Sequence, residues 1–336
     1  MESRDQELAA LLTLLRRGSG AGWNEIAAEV VAAGSAMALL SSPAEDALFA
    51  SPDLGPAHAQ ATADVRQWAQ AGLQWVTVLD PEYPSRLLGI REIPPFLFYE
   101  GGLREPDDGM SVVGSRSASD WGLKLATEAA RLLVSEGLTV IAGLAAGIDT
   151  AAHEAAINSR GRTVAFLGTG ITRSYPASNR ALQRGIADRG LLYSQFYPDA
   201  PPTKHLFPMR NATMSGYGLA TIVIEAGEHS GTRIQARVAG EHGRPVILTD
   251  RVAATTSWGP RSSPAPPAPS VSAQRSDSGT PSRSAGGRRA MPCSPSPPTA
   301  SSGGAPRDCR PRPRCRPKSR PPSPSSDPSN TSSDTT

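Results

Sequence analysis

Apolar positions in the first fifty residues recur at helical spacing. Leu8, Leu11, Leu12 and Leu15 fall at i, i+3, i+4 and i+7, and Ile26, Val30 and Val31 follow the same period after the glycine-rich break at 18–22. The spacing predicts a small helical module over 1–70. Helices of this kind serve packing or dimerisation, and can also touch DNA backbones. Within it, the stretch after residue 50 reads as a linker. Trp75–Leu79 then reads as a strand running into the turn Asp80-Pro-Glu-Tyr-Pro84, and Ile93–Tyr99 with Gly101-Gly102 leads into the main domain.

From residue 111 short apolar runs alternate with helical stretches. Strands are predicted at 111–113, 138–141, 163–167, 191–194, 219–225 and 245–248. Helices are predicted at 121–136, 150–158, 179–188 and 231–242, the first with Leu123, Ala126, Ala130 and Leu133 on one face. Strands apolar on both faces, each followed by a helix, imply a sheet covered on both sides. The prediction is an α/β domain over 75–259, a Rossmann-like, doubly wound and mostly parallel sheet.

The last 77 residues, 260–336, break the pattern. They hold 18 Pro and 19 Ser and no aromatic residue, too little apolar surface to offset chain entropy, so disorder is predicted there. The change is abrupt, with no helix foreseen to finish the sheet. Two accounts stay open: out-of-frame translation of GC-rich coding sequence, or a solvated basic tail with nonspecific affinity for nucleic acid.

Charge follows the same division. The chain carries 34 basic and 31 acidic residues, and 12 of the basic but only 4 of the acidic ones lie in the tail. The tail is therefore +8 and the body −5, so the body must bind any anion through a local patch. Cys293, Cys309 and Cys315 all lie in the tail, leaving the body no disulfide framework and no thiolate metal cluster. With neither a signal segment nor a run of about 18 apolar residues, a cytoplasmic protein without a membrane span is expected.

Ligands of open α/β sheets bind beyond the carboxyl ends of the strands. Four glycine-bearing turns fall there: Gly114-Ser115-Arg116, Gly143 through Gly147 to Asp149, Gly168-Thr169-Gly170, and Glu225 through Ser230-Gly231-Thr232. Backbone N–H groups and helix N-termini gathered on one edge suit phosphate. The dinucleotide fingerprint fails at each turn and no P-loop is present. Lys204-His-Leu-Phe207-Pro-Met-Arg210-Asn211 adds a basic segment around an aromatic, lying between two strands. It reads either as phosphate and base contacts, with stacking worth roughly 1–3 kcal/mol per base, or as a loop whose Phe plugs the core. Asp149 and His153, four apart, fit a capping Asp and a structural His; nothing completes a metal site with them, and no Gly-x-Ser-x-Gly nucleophile exists.

Val112-Val-Gly-Ser-Arg116, Ala142 through Gly147-Ile-Asp149 with Ala152-His153, Tyr175-Pro176 with Asn179, Phe207-Pro-Met-Arg-Asn211, Ser215-Gly216 and Glu225-Ala226 through Ser230-Gly231 resemble the DprA/Smf family in residue and order. Tyr83-Pro84 and Pro94-Pro95-Phe96-Leu97 fit as well. The resemblance covers about residues 75–250, with a looser likeness over the first fifty. It implies a protein that binds and protects single-stranded DNA during natural transformation, helps to load the RecA recombinase, forms homodimers, and needs neither cofactor nor metal nor catalysis. Carried over by position, Arg116 would hold a phosphate, Lys204 and Phe207 would contact the strand, and Arg210, Asn211 and Ser230-Gly231 would complete the pocket.

The chain departs from the family pattern in places. Ala212 stands where the family has a second arginine, Gln195 where it has Glu, and Arg233 where it has an apolar residue, so that Arg233 could restore the lost charge. The competing class is a nucleotide-cleaving phosphoribohydrolase, which uses a similar glycine turn with a catalytic Glu. Here that position is Gln235, which cannot exchange a proton at neutral pH. A small-nucleotide sensor using the same cradle is the third class.

Overall fold

The computed structural model describes residues 3–17, 21–41, 54–228 and 230–258. The expected disordered tail and its three cysteines lie outside the described residues. In chain order the elements are α1 (Ser3–Arg16), α2 (Trp23–Ala33), α3 (Ala36–Ser41), α4 (Gly55–Gln70), β1 (Gln74–Thr77), β2 (Phe96–Gly101), β3 (Gly109–Gly114), α5 (Asp120–Ser135), β4 (Thr139–Ala142) and α6 (Ile148–Asn158). There follow β5 (Thr163–Phe166), α7 (Arg180–Arg189), β6 (Leu191–Ser194), α8 (Leu206–Tyr217), β7 (Ala220–Glu225), α9 (Gly231–Glu241), β8 (Val246–Leu248) and α10 (Asp250–Thr255).

The eight strands form one sheet in the order β1-β2-β6-β5-β4-β3-β7-β8. The six from β6 to β8 run parallel, while β2 pairs antiparallel with both β1 and β6. The predicted doubly wound, mostly parallel α/β sheet is thus the fold. Every residue of β4, β5 and β6 is buried, as a sheet covered on both faces requires. Successive side chains go to opposite layers. Val112, Val140 and Ile224 pack under α5 and α6, whereas Val113, Ile141 and Val223 join a larger core with Met214 and Tyr217 of α8 and Ala236 and Ala239 of α9.

Four local readings change. The supposed linker contains α4, opened by Pro56 in its first turn and holding Ala61 and Val65 against α1. Alanine- and glutamine-rich, this helix carries too few large apolar residues to show its period. Ile93–Tyr99 runs into β2 (Phe96–Gly101), whose antiparallel pairing lets β1 extend the sheet. The stretch 206–217 is a helix, although Pro208 and the motif-like run 207–211 obscured it; Pro208 sits in its first turn, where a missing N–H is harmless. Finally, α10 does follow the last strand, with Thr249 as its cap.

The helical module shares its core with the sheet. Trp68 meets Phe98 edge-on at 5.1 Å and Trp23 lies 5.7 Å from Phe96, with Tyr197 packed against Trp23, Trp68 and Phe96. Aromatic burial of this kind contributes beyond its area.

Candidate functional site

Strands β4, β5 and β6 step away from β3 on one side, while β7 lies on the other, so strand order reverses between β3 and β7. A cavity of about 840 Å³ opens at the carboxyl ends there. Its walls bring together Gly114, Ser115 and Arg116 after β3, Lys204, Phe207, Arg210 and Asn211 at the start of α8, and Ser230, Gly231 and Thr232 at the start of α9. These ten residues, scattered over 119 positions of sequence from Gly114 to Thr232, meet in one place.

The other four predicted glycines do not line the cavity. A Cβ on Gly143 would lie 1.4 Å from Arg210 Nη1, and one on Gly168 would lie 2.5 Å from the Phe207 ring. These two glycines therefore seat the two α8 side chains. Gly147 precedes α6 with φ of 80°, and Gly170 packs on the 197–198 backbone.

Charge is distributed unevenly over the cavity. Lys204 is exposed, and the Arg116 guanidinium lies 5.0 Å over the centroid of Phe207. Arg210 is buried, donating from Nη1 to the Phe166 carbonyl at 2.9 Å. Burial pushes its pKa down to about 10, opposed by the nearby Asp149 carboxylate and assisted by Arg116. Asp149 is shifted upward by burial, against the pull of Arg210 and of the backbone N–H groups of Ala145 and Gly143. Its Oδ2 accepts from Gly143 N–H at 3.0 Å and Ala145 N–H at 3.3 Å. It therefore organises the loop before α6 rather than capping the helix. Thr163 Oγ1 gives its proton to the Val140 carbonyl, so His153 donates from Nδ1 to that oxygen at 2.7 Å. Burial, with Arg210 nearby, pushes the His153 pKa down to about 3, keeping the imidazole neutral. His153 is a structural histidine.

Two functional candidates were invisible to spacing. Tyr175, 44% exposed, lines the cavity with its ring centroid 5.7 Å from that of Phe207, so the cavity offers two adjacent aromatic rings. Its only sequence signal was membership of the Tyr-Pro motif. Gln235, read only as a lost acid, lines the cavity with a buried Nε2 that has no partner among the described residues; Arg210 Nε is in the same state. Buried donors without acceptors are costly, and an anion or a base edge would satisfy them. The Ser230 hydroxyl, by contrast, caps α9 by accepting from Thr232 N–H at 3.2 Å, and the N–H groups of Ser230 and Arg233 donate to the Gly227 and Ser230 carbonyls, so this turn is largely satisfied within the fold. Arg233 is exposed on α9 and does not line the cavity, so it does not replace the charge absent at Ala212. Gln195 is buried and accepts from the Thr213 hydroxyl. Among the described residues no cluster of three or more His, Cys, Asp or Glu could hold a metal, and no helix is long and apolar enough to cross a membrane.

Fold and site define a doubly wound α/β protein with a cationic, aromatic-walled cavity at its switch point. The chain belongs to the DNA recombination-mediator protein A family, whose model matches residues 74–270. It is 38% identical to Protein Smf of Synechocystis over 183 residues, 53% of this chain and 46% of that one. It is 40% identical to the DNA processing protein DprA of Streptococcus pneumoniae over 174 residues, 51% of this chain and 61% of that one. The chain thus matches only about half to three fifths of these relatives' length. The X-ray structure of the pneumococcal protein superposes with a TM-score of 0.57 at 29% identity, covering 74% of this chain and 87% of that one.

Proposed function

We propose that this chain binds single-stranded DNA in the switch-point cavity, protects it, and helps to load a RecA-type recombinase during natural transformation, acting as a homodimer in the cytoplasm without catalysis. The array of Arg116, Phe207 and Tyr175 carries the reading. A cation stacked on one ring beside a second exposed ring suits a chain of alternating phosphates and unpaired bases, and suits a stacked duplex poorly. Lys204 and Arg210 add positive charge, and the family's name and its DprA relatives point to DNA. The occupant of the position expected to exchange a proton, Gln235, speaks against the phosphoribohydrolase alternative.

The test is equilibrium binding of labelled oligothymidylate and of duplex over a range of salt. Single-strand preference that survives physiological salt supports the reading, and equal affinity for both overturns it. Displacement by mononucleotides at micromolar concentration would instead favour a nucleotide sensor. Recombinase loading is tested separately, by whether the chain speeds RecA filament growth on strands coated with single-strand-binding protein. Sedimentation tests the dimer.

A further inference from the structure

Beyond Tyr175 lies a second cavity of about 530 Å³, walled by Arg173, Arg180 and Arg184, with Gln183 in its lining and Glu100 as its one carboxylate. Tyr175 lines both cavities, so the two share a wall. Arg180 and Arg184 stand four apart on α7, one turn of helix, and both are exposed. Among the described residues neither has an ion-pair or hydrogen-bond partner, and Arg173 engages only its Nε, on the Asp199 carbonyl at 2.5 Å. Three guanidinium groups facing a single carboxylate form a phosphate-binding surface.

Gln183 adds to the surface an acceptor that the phosphates of a nucleic-acid strand cannot satisfy. Its Nε2 donates to the Arg173 carbonyl at 3.1 Å, which fixes the amide orientation. That leaves Oε1, on a residue only 6% exposed, without a partner among the described residues. A phosphodiester has no proton to offer this acceptor, whereas every nucleobase carries an imino or amino N–H. Arginines for phosphate, an amide oxygen for a base edge and a tyrosine face for stacking are the three contacts of one nucleotide.

We propose that the single strand continues past Tyr175 into this arginine-walled cavity, which holds at least one further nucleotide by phosphate and base. The proposal rests on the reading of the first cavity as a strand site. It extends the path along the carboxyl edge of the sheet, from β3 and β7 toward β5 and β6.

The experiment uses the full chain, with binding of a short oligothymidylate sized to the first cavity and of one of about 16 nucleotides, each over a range of salt. The Arg180→Ala/Arg184→Ala double variant changes only solvent-facing side chains, and circular dichroism confirms its fold. On the long strand its affinity should fall several-fold, and its salt slope should drop by about 0.7 for each phosphate no longer neutralised. On the short strand it should match the parent. Gln183→Leu should likewise weaken only the long strand, and should lose that effect when the long strand's far half is abasic.

Arg116→Ala is the control for the first cavity and should weaken both lengths. If it does so while the double variant binds the long strand like the parent, the second cavity holds no nucleotide and the proposal fails. It fails equally if the double variant weakens both lengths alike, since the arginines then act only as diffuse charge. If Arg116→Ala weakens neither length, the reading of the first cavity fails instead.

Discussion

At the amino ends of the strands, Asp107 is fully buried and every demand on it is met. Its carboxylate accepts from Arg162 Nε at 2.8 Å, from the Tyr217 hydroxyl at 2.9 Å and from the Thr139 hydroxyl. Arg162 in turn donates to the Gly102 carbonyl, and Arg86 to that of Asp107 itself. At the carboxyl ends of the same strands, Arg210 is also buried, but among the described residues its Nε has no partner, nor has the Nε2 of Gln235. The first cluster closes on itself and fastens α8 to the starts of β4 and β5. The second is left with donors that only something outside the fold would satisfy. One chain handles buried charge in two ways, and the difference separates a fastening from a candidate binding site.

Removing one partner tests the fastening most severely. Asp107→Ala strands the Arg162 guanidinium and the Tyr217 hydroxyl, so the unfolding free energy from urea titration should fall by about 3–5 kcal/mol. Binding per folded molecule should be unchanged. A loss of affinity with full stability would reverse the assignment of the two ends.

On the other side of the contrast, Phe207→Ala should weaken single-strand binding by about 1–3 kcal/mol, with the salt slope nearly intact because stacking releases no ions. Arg116→Ala should do the converse, lowering the slope by about 0.7, one single-strand phosphate. Identical slopes for the two variants would refute the separate roles of ring and cation.

Next in size is the response to acid. In the fold His153 stays neutral down to about pH 3, while in the unfolded chain it takes a proton near 6.5. Its depressed value means that protons favour the unfolded state, so stability is full above pH 6.5 and is lost as pH falls below it, by about 1.4 kcal/mol per unit. Comparing unfolding free energies from urea titration at pH 6.5 and 5.5 for the parent and His153→Leu isolates this contribution: the difference between the two proteins should change by about 1 kcal/mol, because the unfolded chain's imidazole is already half protonated at pH 6.5.

The smallest expected effect is that of the tail. Deleting residues 260–336 should lower affinity for duplex and single strand together, chiefly at low salt, because the segment offers charge without a stacking face. Single-strand preference should persist, and its disappearance would move recognition out of the cavity.

Much of this was legible in the sequence because periodicity survives wherever burial is one-sided or complete. The boundaries of β6 were read to the residue, and the glycine turns lie on the edge of the sheet where the larger cavity opens. What escaped had weak or conflicting signals. Helix α4 buries small residues such as Ala61, whose periodicity is faint. In α8, Phe207, Met209 and Asn211 looked like a loop because Pro208 and the motif drew attention from a helix that carries side chains to the cavity on one face and to the core on the other. Tyr175 and Gln235 acquire their significance from neighbours far away in sequence, Phe207 for the first and the cavity wall for the second. No local pattern records such proximity.

Gly143 and Gly168 hold a consequence for how this surface can evolve. Each occupies space in which its own Cβ would collide with an α8 side chain, Arg210 in one case and Phe207 in the other. Each glycine and its tenant therefore form a mutational unit. An alanine at 143 requires the Arg210 guanidinium to leave its present seat, by shifting or by shortening, and while the alanine stands the arginine cannot reoccupy that seat. The same constraint binds 168 to 207. A homologue that has lost either tenant is free to fill the glycine behind it, and once filled, that position bars the side chain's return to its seat.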